Sequence, residues 1–348
     1  MNSAGFTTDT IVMQFDSASD DNQASWQQQI GAAYTDPFAL AKALQLPQSW
    51  AQQHAPARKL FPMRVPQHFA SLMRKGDIND PLLRQVWPLT NEYDNVSGYS
   101  VDPLDEEGAS QQSGILHKYR SRLLLIVRGG CAVNCRYCFR RHFPYDAHKL
   151  GRKELADVYD YILANPDVNE VILSGGDPLM ANDEQLISII SMLESLPQLK
   201  RLRIHSRLPV VIPARLTLPL AERLAKSRLQ ALLVIHANHP QELSPELAER
   251  LTLWRQHGIH LLNQSVLLKG VNDSSTVLHQ LSERLFEMGV LPYYLHQLDK
   301  VAGAAHFAVS DTAANLLINN LLCSLPGFLV PKLVREIAGE ASKTPLRG

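Results

Sequence analysis

The sequence predicts an α/β fold, a partial and open (β/α)6 barrel with an N-terminal helical layer. Three observations predict it. Beyond about residue 115, short apolar, β-branched runs alternate with helical patterns. Six such units fit into roughly 180 residues. The first hundred residues or so carry helical spacing without a strand signal.

The predicted strands are LLLIV (123–127), EVILSG (170–175), RLRIHS (201–206), ALLVIH (231–236), HLLNQSVLL (260–268) and PYYLHQL (292–298). KELADVYDYILAN and DEQLISIISMLESL, lying between strands, read as helices. Alternation at this spacing argues for a parallel sheet of βαβ units. A doubly wound open sheet fits the same pattern, and periodicity does not separate the two. In either architecture ligands belong at the C-terminal ends of the strands.

Ahead of the strands, residues 1 to about 20 are polar, rich in Asp and Ser, and expected to fray. TDPFALAKALQL places Pro37 at a first helical position behind Thr35 or Asp36 as cap. NDPLLRQVW repeats that logic with Asp80 and Pro81, and VPQHFASLMRK also has helical spacing. Residues 97–114 form a turn-rich connector. The chain thus divides into 1–110 (helical region and connector), 111–330 (barrel) and 331–348 (tail).

Bulk composition excludes several function classes. The 348 residues are 45% hydrophobic, enough for a sizeable core, and Lys plus Arg (34) equals Asp plus Glu (34). No basic excess points to nucleic acid. No apolar run approaches the ~18 residues of a membrane span, and no secretory signal is visible. Three of the four cysteines are clustered and Cys323, expected in the core, stands apart. A disulfide framework would spread its cysteines in pairs. Clustering suits a cytoplasmic chain that binds metal or uses thiols in catalysis.

The cluster is GGCAVNCRYCFRRHF, with Cys131, Cys135 and Cys138 on a loop just after the first strand. Thiolates are the usual ligands of iron–sulfur clusters. Three of them can hold three irons of a [4Fe–4S] cube and leave the fourth open to a small molecule. Zinc completed by a distant His or Cys323, or structural thiols, are the other readings. No second C-x-x-C pair accompanies the cluster, as a zinc ribbon requires.

C-x3-C-x-Y-C after the first strand of such a barrel resembles the signature of the radical S-adenosylmethionine (radical SAM) enzymes. The resemblance implies a radical SAM barrel in which these three cysteines ligate the cluster and S-adenosylmethionine chelates the open iron. Tyr137 occupies the aromatic position beside the last cysteine. SGGDPL, with Ser174, Gly175, Gly176 and Asp177, ends the second strand. Glycines there let a backbone edge approach a ligand, although an ordinary turn with Asp177 as a helix cap fits equally. In radical SAM enzymes the position contacts the methionine amino group.

A narrower resemblance covers roughly residues 60–343. RSRLLLIVRGGCAVNCRYCFRRHF, ILSGGDPL, HANHP, LLNQSVLLKGVND, PYYLHQLD and the tail look like lysine 2,3-aminomutases. In that family a lysine in a Gly-rich loop before T-P holds pyridoxal phosphate as a Schiff base. Lys343, in AGEASKTP, matches it. Lys332 lies in the same tail without the small-residue loop. Read bare, Lys343 is a solvated lysine. The resemblance further implies that Arg140 forks onto the substrate carboxylate, as a guanidinium can. Asp299 and Glu336 then grip the distant ammonium, with Glu336 standing where the family carries Asp. Lys118, Tyr119 and Arg122 are candidates for holding pyridoxal phosphate. Arg141, and each acid read bare, are equally surface charges.

Free-lysine aminomutases continue well past the equivalent of Lys343. The shorter form resembles the branch that makes (R)-β-lysine for elongation factor P, and implies a functional link to that factor and its lysine ligase. A free-lysine aminomutase, a relative acting on another amino acid such as glutamate, and a non-enzymatic metal-binding protein are the alternatives. The expected partners are L-lysine and a reductant such as flavodoxin or ferredoxin, with neither nucleic acid nor membrane. The sequence leaves a homo-oligomer open.

Overall fold

The computed structural model describes residues 24–106, 108, 110–112, 114–143 and 150–346. The polar first 20 residues, expected to fray, lie outside that range.

Ten strands form one sheet in strict chain order: β1 (Ser110–Gln112), β2 (Ile115–Tyr119), β3 (Arg122–Arg128), β4 (Glu170–Gly175), β5 (Arg201–Ser206), β6 (Gln230–His236), β7 (His260–Val266), β8 (Leu291–His296), β9 (Lys332–Arg335) and β10 (Thr344–Pro345). Strands β3 to β9 are parallel, and β1, β2 and β10 join antiparallel at the two ends. Every new strand adds on the same side of the last. A doubly wound sheet would reverse its order at a switch point. The strand order therefore decides for the partial barrel, whose ends do not pair among the described residues.

One principal helix fills each crossover: α1 (Arg152–Ala164), α2 (Asp183–Glu194), α3 (Leu218–Ala225), α4 (Pro245–Gln256), α5 (Ser275–Glu287) and α6 (Asp311–Ser324). Their sequences explain them. In α2, Asn182 caps the Gln185 amide at 2.9 Å. Leu186, Ile189, Ile190 and Leu193 then form one buried stripe at helical spacing. In β5, Leu202 and Ile204 are buried in the core, and the alternate residues Arg203 and His205 line an interior cavity. The barrel interior is thus polar where a closed barrel would be packed.

The structure adds strands at both ends of the predicted sheet and corrects the placement of Cys323. The stretch ILHKY, ahead of the first predicted strand, forms β2, which pairs antiparallel with β3. Its few apolar residues carried no strand signal, because β2 lies near the sheet's end. The tail joins the sheet: β9 extends the parallel strands and β10 pairs back onto it. Cys323 is exposed. The buried stripe of α6 runs through Ala314 and Leu321, and a residue two beyond Leu321 falls on the opposite face.

The N-terminal layer is helical as expected. Asp36 caps Pro37–Ala43, and Asp80 caps Pro81–Arg84 through the amides of Leu82 (2.9 Å) and Leu83 (3.0 Å). The layer clamps the cysteine loop. Arg64 Nη1 donates to the Cys131 carbonyl (3.1 Å), Asn134 Nδ2 to the Pro62 carbonyl (2.9 Å), and the Arg136 amide to the Gln85 carbonyl (2.8 Å).

Candidate active site

A cavity of about 360 Å³ opens at the C-terminal ends of the parallel strands. Fifteen of the residues singled out from the sequence line it. Cys131, Cys135, Tyr137, Cys138 and Arg140 come from the loop after β3, and Ser174, Gly175, Gly176 and Asp177 from the end of β4. Lys118, Tyr119 and Arg122 come from the β2–β3 hairpin, Asp299 from beyond β8, and Glu336 and Lys343 from the loop between β9 and β10. Residues more than 200 positions apart meet because the sheet curves round.

The three cysteines are free thiols, partly exposed to the cavity. Burial and the neighbouring charges of Asp177 and the other two thiols push Cys131 well up, and burial with Cys135 pushes Cys138 to about 12. Thiolates here therefore need a strong compensating positive charge. Among the described residues no group of His, Cys, Asp or Glu converges closely enough for one metal ion. Three thiols from one loop lining the cavity are the donor type that iron–sulfur clusters take.

In the SGGD segment Asp177 caps the short helix Pro178–Met180, one of the two readings open in the sequence, and the glycines pack against the cysteine loop. A Cβ on Gly176 would meet the Gly130 carbonyl oxygen at 2.6 Å, and Gly175 has φ +111°. The glycines thus let the β4 loop lie against the cysteine loop, tied by Gly176 N to Arg128 O (2.7 Å) and Asp177 N to Gly130 O (3.0 Å). The Asp177 carboxylate accepts from Leu179 N, Ser206 Oγ, Arg207 N and Leu208 N at 2.7–3.0 Å. All four acceptor positions are used inside the protein. Any contact of Asp177 with a cofactor falls to its backbone. The Tyr137 hydroxyl is similarly held, by Asn238 Nδ2 (2.7 Å) and His236 (3.0 Å).

A line of alternating charges crosses the cavity. Arg140 grips Glu106 through Nε (2.6 Å) and Nη2 (2.8 Å), and its Nη1 reaches the Gly175 carbonyl (3.0 Å) and Ser174 Oγ (3.3 Å). Lys118 Nζ stands 3.5 Å from Glu106 and 3.6 Å from Glu336. Lys343 Nζ donates to Glu336 Oε2 at 2.6 Å. Burial would raise Glu336, but the Lys343 and Lys118 ammonium groups outweigh it and hold the carboxyl below its usual value. Asp299 is pushed up to about 7, by burial first and by Glu336 second. On the hairpin, Arg122 lies over the Tyr119 ring, 4.1 Å from its centre. Burial and Glu336 raise the Tyr119 hydroxyl to about 12.

The two lysines of the tail separate. Lys343 reaches the cavity, whereas Lys332 is exposed and does not line it. Arg141 is neither a surface charge nor a cavity residue. Its Nη2 binds Glu92 Oε2 at 2.7 Å, beside Arg136, whose Nε holds Glu92 Oε1 at 2.8 Å, and all three are buried.

Sequence reasoning missed Glu106, Arg207 and the histidines His205, His236 and His296, all of which line the cavity. Glu106 sits in an irregular connector and gave no signal. The histidines did: each lies on the last or next-to-last residue of its strand, the edge where ligands sit. Burial keeps all three neutral, with His236 down to about 3.

Known proteins resemble this chain along most of its length. A family model of the radical SAM superfamily matches residues 125–279, a span that holds the cysteine loop and SGGD. That superfamily implies a [4Fe–4S] cluster and S-adenosylmethionine, and the three convergent thiols beside an open cavity fit them. The L-lysine 2,3-aminomutase of Haemophilus influenzae is 51% identical over 322 residues, 92% of this chain and 95% of that protein. The Escherichia coli L-lysine 2,3-aminomutase is 50% identical over 326 residues, 93% and 95% of the two chains. The Clostridium subterminale L-lysine 2,3-aminomutase is 34% identical over 333 residues, covering 95% of this chain and 80% of that one. An open barrel with three thiols at its mouth, and half its residues shared with two such proteins along nearly their whole length, place this chain in the lysine 2,3-aminomutase family of radical SAM enzymes.

Proposed function

We propose that this chain is a pyridoxal phosphate-dependent radical SAM isomerase that converts (S)-α-lysine to (R)-β-lysine, which is then attached to elongation factor P by that factor's lysine ligase. The observation that carries the reading is the cavity itself. It brings three thiols, one tail lysine, an arginine and two acids to the same 360 Å³. A lysine substrate needs that combination, because it carries a carboxylate near one end and a cation at the other.

The cluster and S-adenosylmethionine supply a hydrogen-abstracting radical, and pyridoxal phosphate supplies a conjugated ring that delocalises the spin. The chain supplies position and exclusion of water. Cys131, Cys135 and Cys138 ligate iron. Ser174, Gly175, Gly176, Asp177 and Tyr137 shape the wall for S-adenosylmethionine, the last two by bracing it. Lys343 bonds the pyridoxal aldehyde, with Lys118, Tyr119 and Arg122 beside it as phosphate and ring contacts. Arg122 suits a phosphate, since it makes no ion pair with a described residue and stacks on Tyr119. Arg140 supplies the cation beside the substrate carboxylate rather than the two-pronged fork expected from the sequence, because Glu106 takes its Nε–Nη2 edge and Gly175 and Ser174 take its Nη1. Asp299 and Glu336 receive the side-chain ammonium.

The enzyme acts in the cytoplasm with a flavodoxin- or ferredoxin-type reductant. No helix among the described residues is long and apolar enough to cross a membrane. The assignment to elongation factor P rests on the resemblance to that branch. The chirality of the β-lysine formed tests it: the (R) product supports the assignment, and the (S) product moves the chain to free-lysine metabolism.

A further inference from the structure

Arg207 follows β5 and is buried, 7% exposed. Its Nη1 stands 2.7 Å from Cys135 Sγ and also donates to the Tyr137 hydroxyl. Its Nη2 donates to Gln85 Oε1 (2.8 Å) and Glu242 Oε2 (3.3 Å). Its own amide is held by Asp177 at 2.9 Å, and the guanidinium lies 5.4 Å from the centre of the Phe69 ring. Three segments therefore fix this one side chain, the N-terminal layer, the cysteine loop and the loop after β6, while the loop after β4 holds its backbone.

The charge is incompletely balanced from within. Glu242 is the carboxylate that reaches it, at 3.3 Å. The other oxygen of Glu242 is shared among Gln85 Nε2 (2.9 Å), Asn238 N (3.0 Å) and His239 N (3.1 Å). A buried guanidinium is costly without close counter-charge. The sulfur of Cys135 supplies it when ionised. The potential of an iron–sulfur cluster depends on its net charge and on hydrogen bonds to its sulfurs. Arg207 provides both at one ligand.

We infer that Arg207 is a positioning residue for the cluster: its N–H···S bond holds Cys135, and its charge raises the cluster's reduction potential. The inference rests on the reading of Cys131, Cys135 and Cys138 as cluster ligands. A cation beside the sulfur favours the state that holds one more electron, the electron coming from the external reductant. Loss of the cation therefore makes reduction harder.

The test is a redox titration of the full chain, reconstituted with iron and sulfide without oxygen and without S-adenosylmethionine, followed by the electron paramagnetic resonance of the reduced cluster. Arg207→Met should keep wild-type iron content and shift the reduction equilibrium at least tenfold toward the oxidised state, about 59 mV for one electron. Arg207→Lys, which keeps the charge and loses the fork, should fall between. A fully loaded Arg207→Met at the wild-type potential overturns the inference. If Arg207→Met does not load, wild-type protein labelled with 15N-arginine decides. A 15N hyperfine coupling to the reduced cluster supports the contact, and its absence overturns it. Wild-type protein that takes up no iron overturns the underlying reading, and this inference with it.

Discussion

Lys343 and Glu336 face each other across the loop between β9 and β10, with Nζ 2.6 Å from Oε2. The pairing register causes this. Thr344 lies opposite Arg335, so the next residues inward on each side are Lys343 and Glu336. Gly339, at φ +81°, helps the intervening loop to turn. Two strands of four and two residues thus aim an amine and a carboxylate into one cavity.

That placement predicts where pyridoxal phosphate attaches. Borohydride reduction of the loaded protein should leave the pyridoxyl group on Lys343, read by peptide mass spectrometry. Lys343→Ala should lose the cofactor's visible absorbance and keep its iron, because the cysteines sit on a different loop, after β3. Trapping on Lys332 or Lys269, both exposed, would show the assignment to be wrong.

The thiols predict the metal. Protein reconstituted without oxygen should hold about four irons per chain, and Cys135→Ala should remove them. Full occupancy by zinc without iron would sink the radical reading.

Much of this was legible before the fold. The barrel strands announced themselves because buried parallel strands are nearly continuous apolar runs, as in EVILSG and ALLVIH. The strands next to the sheet's two ends were silent, since β2 and β9 are short and contain Lys118 and Lys332. Cys131, Cys135, Cys138 and Lys343 could be read because their spacing or loop is specific. Glu106 and Arg207 could not. One lies in a connector with no periodicity and the other just past a strand, and their roles arise from Arg140 and Cys135, contacts 34 and 72 residues distant in sequence. The close packing of Gly176 on Gly130 was also hidden, because the two lie 46 residues apart in sequence.

Glu92 predicts a stability effect. It is buried and neutralises two buried guanidiniums, Arg136 and Arg141. Glu92→Gln keeps the shape and leaves both cations uncompensated, which should cost ~3–5 kcal/mol. Denaturant unfolding should report it. Iron loading should fall in parallel, since Arg136 directly follows Cys135. An unchanged unfolding midpoint would mean that the trio contributes no net stability.

The acids predict substrate use. Asp299→Asn and Glu336→Gln preserve size and remove charge. Each should weaken lysine turnover by ~10²-fold or more, as expected when a buried cation loses a partner. Reductive cleavage of S-adenosylmethionine without lysine should persist. The two readings, β-lysine formed and 5′-deoxyadenosine released, should therefore diverge. Unchanged turnover in both variants would put the ammonium site elsewhere.

Asp299 also predicts a proton. Its carboxyl is raised to about 7 by burial and by Glu336, against an ordinary value near ~3.9. The folded protein therefore holds a proton between about pH 4 and pH 7 that the unfolded chain has lost, so this group's contribution to stability falls as pH rises through that window. Lysine acts in the opposite sense on the same group. Its ammonium favours ionised Asp299, so binding should expel roughly half a proton at pH 7 and tighten from pH 6 to pH 8. Calorimetry of lysine binding, in buffers of small and large protonation enthalpy, measures the release directly. Cofactor-loaded wild-type protein should release more protons than Asp299→Asn at pH 7, and the two should converge by pH 9, where Asp299 is already ionised. Identical release at pH 7 would show that the ammonium does not reach Asp299.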